Sequence, residues 1–282
     1  MLSVPSTHAA ELLPSFINTA VAKEDNTDTL TADERKAILH EIISSSQSEI
    51  ENLKDKLTAL TLDDNWNRAR EQFLDKLATS SDYYNSLGKQ LDRESITLDD
   101  IKLHAKELKE RRETIYAPEL KVIGNLILIF QTDDILRVVQ ARNEKIANDI
   151  KKLDRQKLVN TDTLKKYLAQ ADKSIKNARI LNNKAKDAYY QEVVEPLQPK
   201  DTTEQAVDEV RPALLMKSLE ISTTPAESAA DKPSVKTIEE KPAVVKTMAD
   251  KQDDIRDLSK DSLKELKTAY ELFFKMNDRI RK

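Results

Sequence analysis

Cysteine is absent from this chain and glycine nearly so, Gly88 and Gly124 being the only two in 282 residues. Without cysteine there are no disulfides, no thiolate catalysis and no cysteine-ligated zinc; the absence assigns no compartment. Without glycine, the tight β-turns, phosphate-cradling loops and dinucleotide fingerprints that rely on its permissive backbone are nearly excluded. Aromatics are scarce too, at 5%. The longest apolar run is about nine residues, against the roughly 18 to 20 a membrane-spanning helix needs. Neither sign of charge dominates: 46 basic and 50 acidic residues are interspersed, for a net charge of -4. No single-sign field exists to draw nucleic acid.

What the chain does have is charge, at 34%, laid out with heptad spacing. That is the composition of long helices and coiled coils. Four stretches place a threonine before carboxylates: Thr31-Ala32-Asp33-Glu34, Thr61-Leu62-Asp63-Asp64, Thr97-Leu98-Asp99-Asp100 and Thr132-Asp133-Asp134, with Asn160-Thr161-Asp162 a weaker fifth. The hydroxyl accepts from orphan amides of a first turn and the acids face the positive end of the helix dipole, so each reads as a helix start. Behind the starts, apolar residues step by four and three. Leu39, Ile43, Ser46, Ile50, Leu53, Leu57 and Leu60 form one seam; Trp66, Arg70, Phe73, Leu77, Ser80, Tyr84, Leu87 and Leu91 form the next. Ile101, Ala105, Leu108, Arg112 and Ile115 follow, then Ile135, Val139, Ile146, Ile150 and Leu153 with a phase slip. Leu164, Leu168, Ala171, Ile175, Ala178, Asn182, Ala185 and Tyr189 complete the set. Polar residues interrupt these seams, which suits a bundle with several neighbours better than a two-stranded rod. At Thr61 the heptad phase nearly runs through, leaving two separate helices or one kinked rod. Pro118 should kink its helix or restart it.

The centre of the chain, Val122 to Phe130, is apolar on every side of a helix, with Lys121 before it and Asp133-Asp134 after. A lone strand would leave its backbone groups unpaired, so this belt is read as the buried middle of the bundle. The ends differ. Residues 1–30 form a flexible N-terminal segment; Met1 to Glu11 has the small residues of a signal-peptide tail but no charged n-region or apolar h-region. Residues 196–248 hold six of the nine prolines amid Ser, Thr, Lys and Glu, and read as a disordered linker that cannot bury enough apolar surface to order itself. Within it, Leu214, Leu215, Met216 and Leu219 could make a short amphipathic segment. Residues 249–282 close the chain as an amphipathic helix, acidic in its first half and basic at its end.

Chemistry is hard to find. A di-metal carboxylate bundle needs Glu-x-x-His on two helices, but Ala37 and Ile101 occupy the positions three before His40 and His104. Asp100 and His104 share a face at i, i+4; a cap acid near a surface imidazole explains them more simply. The acid pairs are accounted for by helix starts, and no nucleophile elbow or P-loop appears. No catalytic, cofactor or metal residue is assigned.

The sequence therefore predicts an all-α fold: an antiparallel bundle of about five long helices over residues 31–195, packed in coiled-coil fashion, then the linker and the C-terminal helix. Its expected role is that of a non-enzymatic scaffold or adaptor, with Leu263, Leu266, Tyr270, Phe273 and Ile280 taking a partner protein or a second copy of the chain. Two other readings stand beside it: an apolar ligand pocket near Val122–Phe130, and membrane-surface or nucleic-acid contact through the basic end, Lys275 to Lys282.

Overall fold

The structure, a computed structural model, describes residues 30–156, 160–197 and 247–280. The expected N-terminal segment and nearly all of the expected linker, with its Leu214–Leu219 stretch, lie outside the described residues. All the helices described below belong to one compact unit.

Among the described residues every regular element is helical. They are α1 (Ala32–Thr58), α2 (Asp64–Leu91), α3 (Leu98–Arg111), α4 (Ala117–Gln156), α5 (Asp162–Tyr189) and α6 (Met248–Ile280). Two five-residue π segments, Arg112–Tyr116 and Tyr190–Val194, join α3 to α4 and extend α5. The chain thus runs as one shaft from Leu98 to Gln156. Its α4 part alone is 40 residues, about 60 Å at 1.5 Å per residue.

Two bundles share this shaft. In the first, α1 and α2 form a hairpin: Lys36 and His40 reach Asp92, and Gln47 donates to Asn85. Tyr83 beneath Arg111, Tyr84 against Tyr116, Lys76 with Glu119 and Trp66 against Phe130 run α2 antiparallel to the shaft. In the second bundle, α5 descends antiparallel to α4, with contacts from Tyr189–Val122 through Lys186–Asp133 and Asn143–Asp172 to Lys165–Asp154. The last helix, α6, returns parallel to α4, pairing Lys121 with Asp253, Asn125 with Gln252 and Arg142 with Tyr270. The core divides accordingly. One apolar cluster takes the shaft as far as Ile129, and a second begins at Leu136.

The central belt lies where the bundles overlap, and none of residues 121–130 is exposed. Residues from α1 and α2 cover one side, the end of α5 another, and Ile255 of α6 belongs to the same cluster. Trp66 caps the junction. Its ring meets Phe130 edge-on at 5.1 Å, stacks on Tyr189 at 5.9 Å and meets Tyr190 at 5.7 Å. This explains a helix apolar on all sides: it has neighbours from both bundles at once.

Three local expectations are corrected. Thr132 starts no helix. It is buried inside α4, its hydroxyl donates to the Leu128 carbonyl at 2.7 Å, and Asp133 beside it turns sideways to Lys186 and Asn182 of α5. A threonine before acids caps only where the backbone has left the helix, and the aliphatic residues before Thr132 give it no reason to leave. At the α1–α2 turn the cap is Asp63 and not Thr61; the Asp63 carboxylate accepts from the amides of Asn65 and Trp66, and the two helices are separate. Pro118 lies in the first turn of α4, where the α-helical pattern resumes after the π segment. Proline has no N–H and crowds the carbonyl four residues back; here a π segment precedes it, and Ala117 donates to the Arg112 carbonyl five residues back. Glu195, just before Pro196, does the same to Tyr190. The wider turn inserts one residue into the heptad phase, so Tyr116 is buried and Ile115, expected on the seam, is 42% exposed.

Candidate interaction site: the seat of the C-terminal helix

The residues expected to bind a partner all lie on α6, and the structure places most of them in the second bundle. Leu266 and Phe273 are buried in its core, and Leu263 and Tyr270 are half-buried against it. Ile280 is 46% exposed. This helix is not displayed free; it fills the groove between α4 and α5.

Its start is set by Thr247. The Thr247 hydroxyl accepts from the Asp250 amide at 3.2 Å, while Asp250 accepts from the Thr247 amide at 3.0 Å. This is the capping box seen at Thr31–Glu34 and Thr97–Asp100, and the same threonine-to-acid spacing could have placed it. The face α6 buries follows two heptad columns, with Leu272 added beside them. Gln252, Ser259, Leu266 and Phe273 form one column, and Ile255, Ser262, Ala269 and Met276 the other; all are buried. Opposite stand Leu164, Ala171, Ala178 and Ala185 of α5, with Ser174, Ile175 and Asn182 beside them. Small side chains on both helices let the backbones approach, and α5–α6 is the most closely packed pair of helices. An apolar scan of the sequence passes over Gln252, Ser259, Ser262 and Ala269 because they are small or polar. Their heptad phase with Leu266 and Ile255 is the signal that would have found them.

Polar contacts mark the register of this seat. Asn125 of α4 donates to the Gln252 carbonyl at 2.8 Å and to its side-chain oxygen at 2.9 Å. Ser262 donates to the Ala178 carbonyl at 2.8 Å. At the entrance, Lys251 pairs with Glu192 at 2.7 Å and Lys121 with Asp253 at 2.7 Å. Asn125, Gln252 and Ser262 are all buried; Gln252 Nε2 has no hydrogen-bond partner in the seat, and shifting α6 along the groove would strand the groups that are paired, at about 1–3 kcal/mol for each.

A second buried polar cluster pins the first bundle to its π segment. The Arg112 guanidinium donates to Ser46 Oγ at 3.0 Å and lies 3.8 Å from Glu49. Tyr116 donates to Glu49 at 3.2 Å, and its ring meets Tyr84 edge-on at 5.6 Å. Burial, with Glu49 adding to it, holds the Tyr116 hydroxyl far above the ordinary phenol range. Burial likewise raises Tyr84 and Tyr189. All three rings are held neutral, as packing groups and not as acids.

The remaining candidates are dispersed. Asp100 is tied into the Thr97 cap, and His104 instead sits 3.4 Å from Glu107. Among the described residues no group of three or more His, Asp or Glu side chains could hold a metal ion. No helix among them is long and apolar enough to cross a membrane. One open concavity, about 640 Å³, is lined by residues of α1 from Ser44 to Lys56, and another, about 290 Å³, by Leu181 and residues of α6 from Asp261 to Thr268. Neither touches Val122–Phe130. No protein-family model, curated protein or solved structure matches the chain.

Proposed function

We infer that the chain is a non-enzymatic structural or interaction protein: a helical scaffold in which one shaft carries two bundles, with α6 as its adaptor element. The observation that carries this reading is how α6 is attached. Lys251 and Glu192 place its start beside the end of α5, and antiparallel neighbours so placed are ordinarily joined by about 2 to 8 residues. Here residues 198–246 intervene. A short loop would set the register of α6 mechanically, and this connection is too long to do so. Side-chain pairs do it, as they would for a helix arriving from elsewhere.

The competing readings have less behind them. An apolar ligand would need room at the belt, which Trp66, Phe130 and Tyr189 fill with one another. Contact with a membrane surface or nucleic acid through the basic end rests only on Lys275, Arg279, Arg281 and Lys282, with Asp278 among them, a short run in a chain without a large single-sign field.

Ending the chain after residue 246 tests the reading. Exposure of the second apolar cluster should make the shortened protein melt in two steps, with the α1–α2–α3 part retaining its own transition. The weak self-association expected of the full chain at high concentration, read by light scattering, should disappear. A truncated protein with unchanged melting and unchanged association would leave α6 neither a scaffold nor an adaptor element.

A further inference from the structure

Resting on that reading, we propose that the α4–α5 groove is a helix-acceptor site whose specificity lies in the Asn125–Gln252 and Ser262–Ala178 pairs, and that the α6 of a second copy of this chain fits it as the resident helix does.

Three observations lead there. First, the polar and small-residue contacts that seat α6 come from α4, α5 and the π turn after α5: the small-residue heptads, the buried amide pair, the serine on the Ala178 carbonyl and the two entrance ion pairs. Second, the length of residues 198–246 removes the geometric reason for α6 to stay with its own chain. A connection of that length can span at most about 160 Å when fully extended, enough to reach a neighbouring molecule. Exchange of an identical element between copies keeps every contact of the seat; what it forfeits is the effective concentration of a tethered helix, on the order of a millimolar. Third, the seat is read by buried amides. An aliphatic seam would accept α6 displaced by a heptad, or any apolar helix. A buried Asn–Gln pair penalises both, which is how single polar positions specify partners in coiled coils.

The pair supplies its own test, using full-length chains. One variant carries Asn125→Leu and the other Gln252→Leu. Each alone faces a mismatch, an amide against leucine. If they exchange helices, one groove of the heterodimer holds the two introduced leucines against each other, and the other groove restores Asn125 against Gln252. Relief of both mismatches should make the mixture associate at least thirtyfold more tightly than the wild type with itself, read by sedimentation of a labelled chain in a titration. The chain has no cysteine, so a single Lys152→Cys substitution labels it cleanly. Far-UV circular dichroism of each variant establishes that both are folded. The single-chain double variant Asn125→Leu/Gln252→Leu is matched within itself and should stay as monomeric as the wild type.

A mixture of folded variants that sediments as two monomers overturns the proposal and leaves the scaffold reading intact. Association of the double variant as strong as that of the mixture also overturns it, because the amide pair would then not be what the groove reads. Loss of helix in both variants, with no recovery in the double variant, would show the pair to be plain core and overturn the recognition role.

Discussion

At the scale of the residue, the two glycines make the simplest forecast. Both sit inside helices, and a methyl group added at either would meet no atom within 4 Å. Gly88→Ala and Gly124→Ala should each stabilise the protein by about 0.5–1 kcal/mol in urea unfolding, by removing backbone freedom from the unfolded chain. The caps forecast a pH dependence. Hydrogen bonds from Thr31 hold the Glu34 carboxyl below its usual range, and those from Thr97 do the same for Asp100. For acids lowered in this way, the stabilisation is present above the unfolded pKa and is lost as pH falls through the folded one. Urea midpoints should therefore drop on acidification below about pH 4, and Thr31→Ala with Thr97→Ala should flatten that drop. The buried tyrosines act at the other end. Tyr84, Tyr116 and Tyr189 are raised, so their contribution is complete below about pH 10 and is lost as pH climbs toward their folded values. Their tyrosinate absorbance should appear only together with alkaline unfolding. The Thr31 and Thr97 capping boxes were legible in the sequence because a box is local. Thr132 was not, because the same tripeptide serves as a cap or as a mid-helix back-bond, depending on backbone it does not control.

At the scale of the element, heptad phase reads well until something inserts a residue. From Ile101 through Leu108 to Arg112 the seam follows the expected four-three steps, and then the π segment moves it from Ile115 to Tyr116. Substitution should separate the two positions. Tyr116→Ala should cost about 3–5 kcal/mol, as large-to-small changes of buried aromatics do. Ile115→Ala should stay within about 1 kcal/mol, the ordinary range for an exposed site. Chevron or equilibrium urea data on the pair would show it. Without the π turn the two costs should come out in the opposite order. The α6 face carries the same lesson in another form. Its apolar stripe was plain in the sequence, but four of its nine buried positions are serine, alanine or glutamine, which count as contact only once α5 is seen to present alanines at the matching heptad positions.

At the scale of the whole molecule, the division of the core at Ile129 and Leu136 implies two regions of separable stability on one continuous shaft. Phe273→Ala, at about 3–5 kcal/mol, should speed hydrogen exchange in residues 136–189 and 248–280 while leaving the α1–α2 hairpin protected; uniform acceleration would mean that the shaft couples the bundles into a single cooperative unit. What the sequence determined alone was local and periodic: most of the helix starts, the buried face of each helix, and the need of Val122–Phe130 for neighbours all round. Which neighbours those were, and whether α6 would lie on its own bundle, only the tertiary structure decided. An amphipathic face is written identically for a helix that folds back and for one that leaves, because the groove that receives it is built from residues far away in the chain.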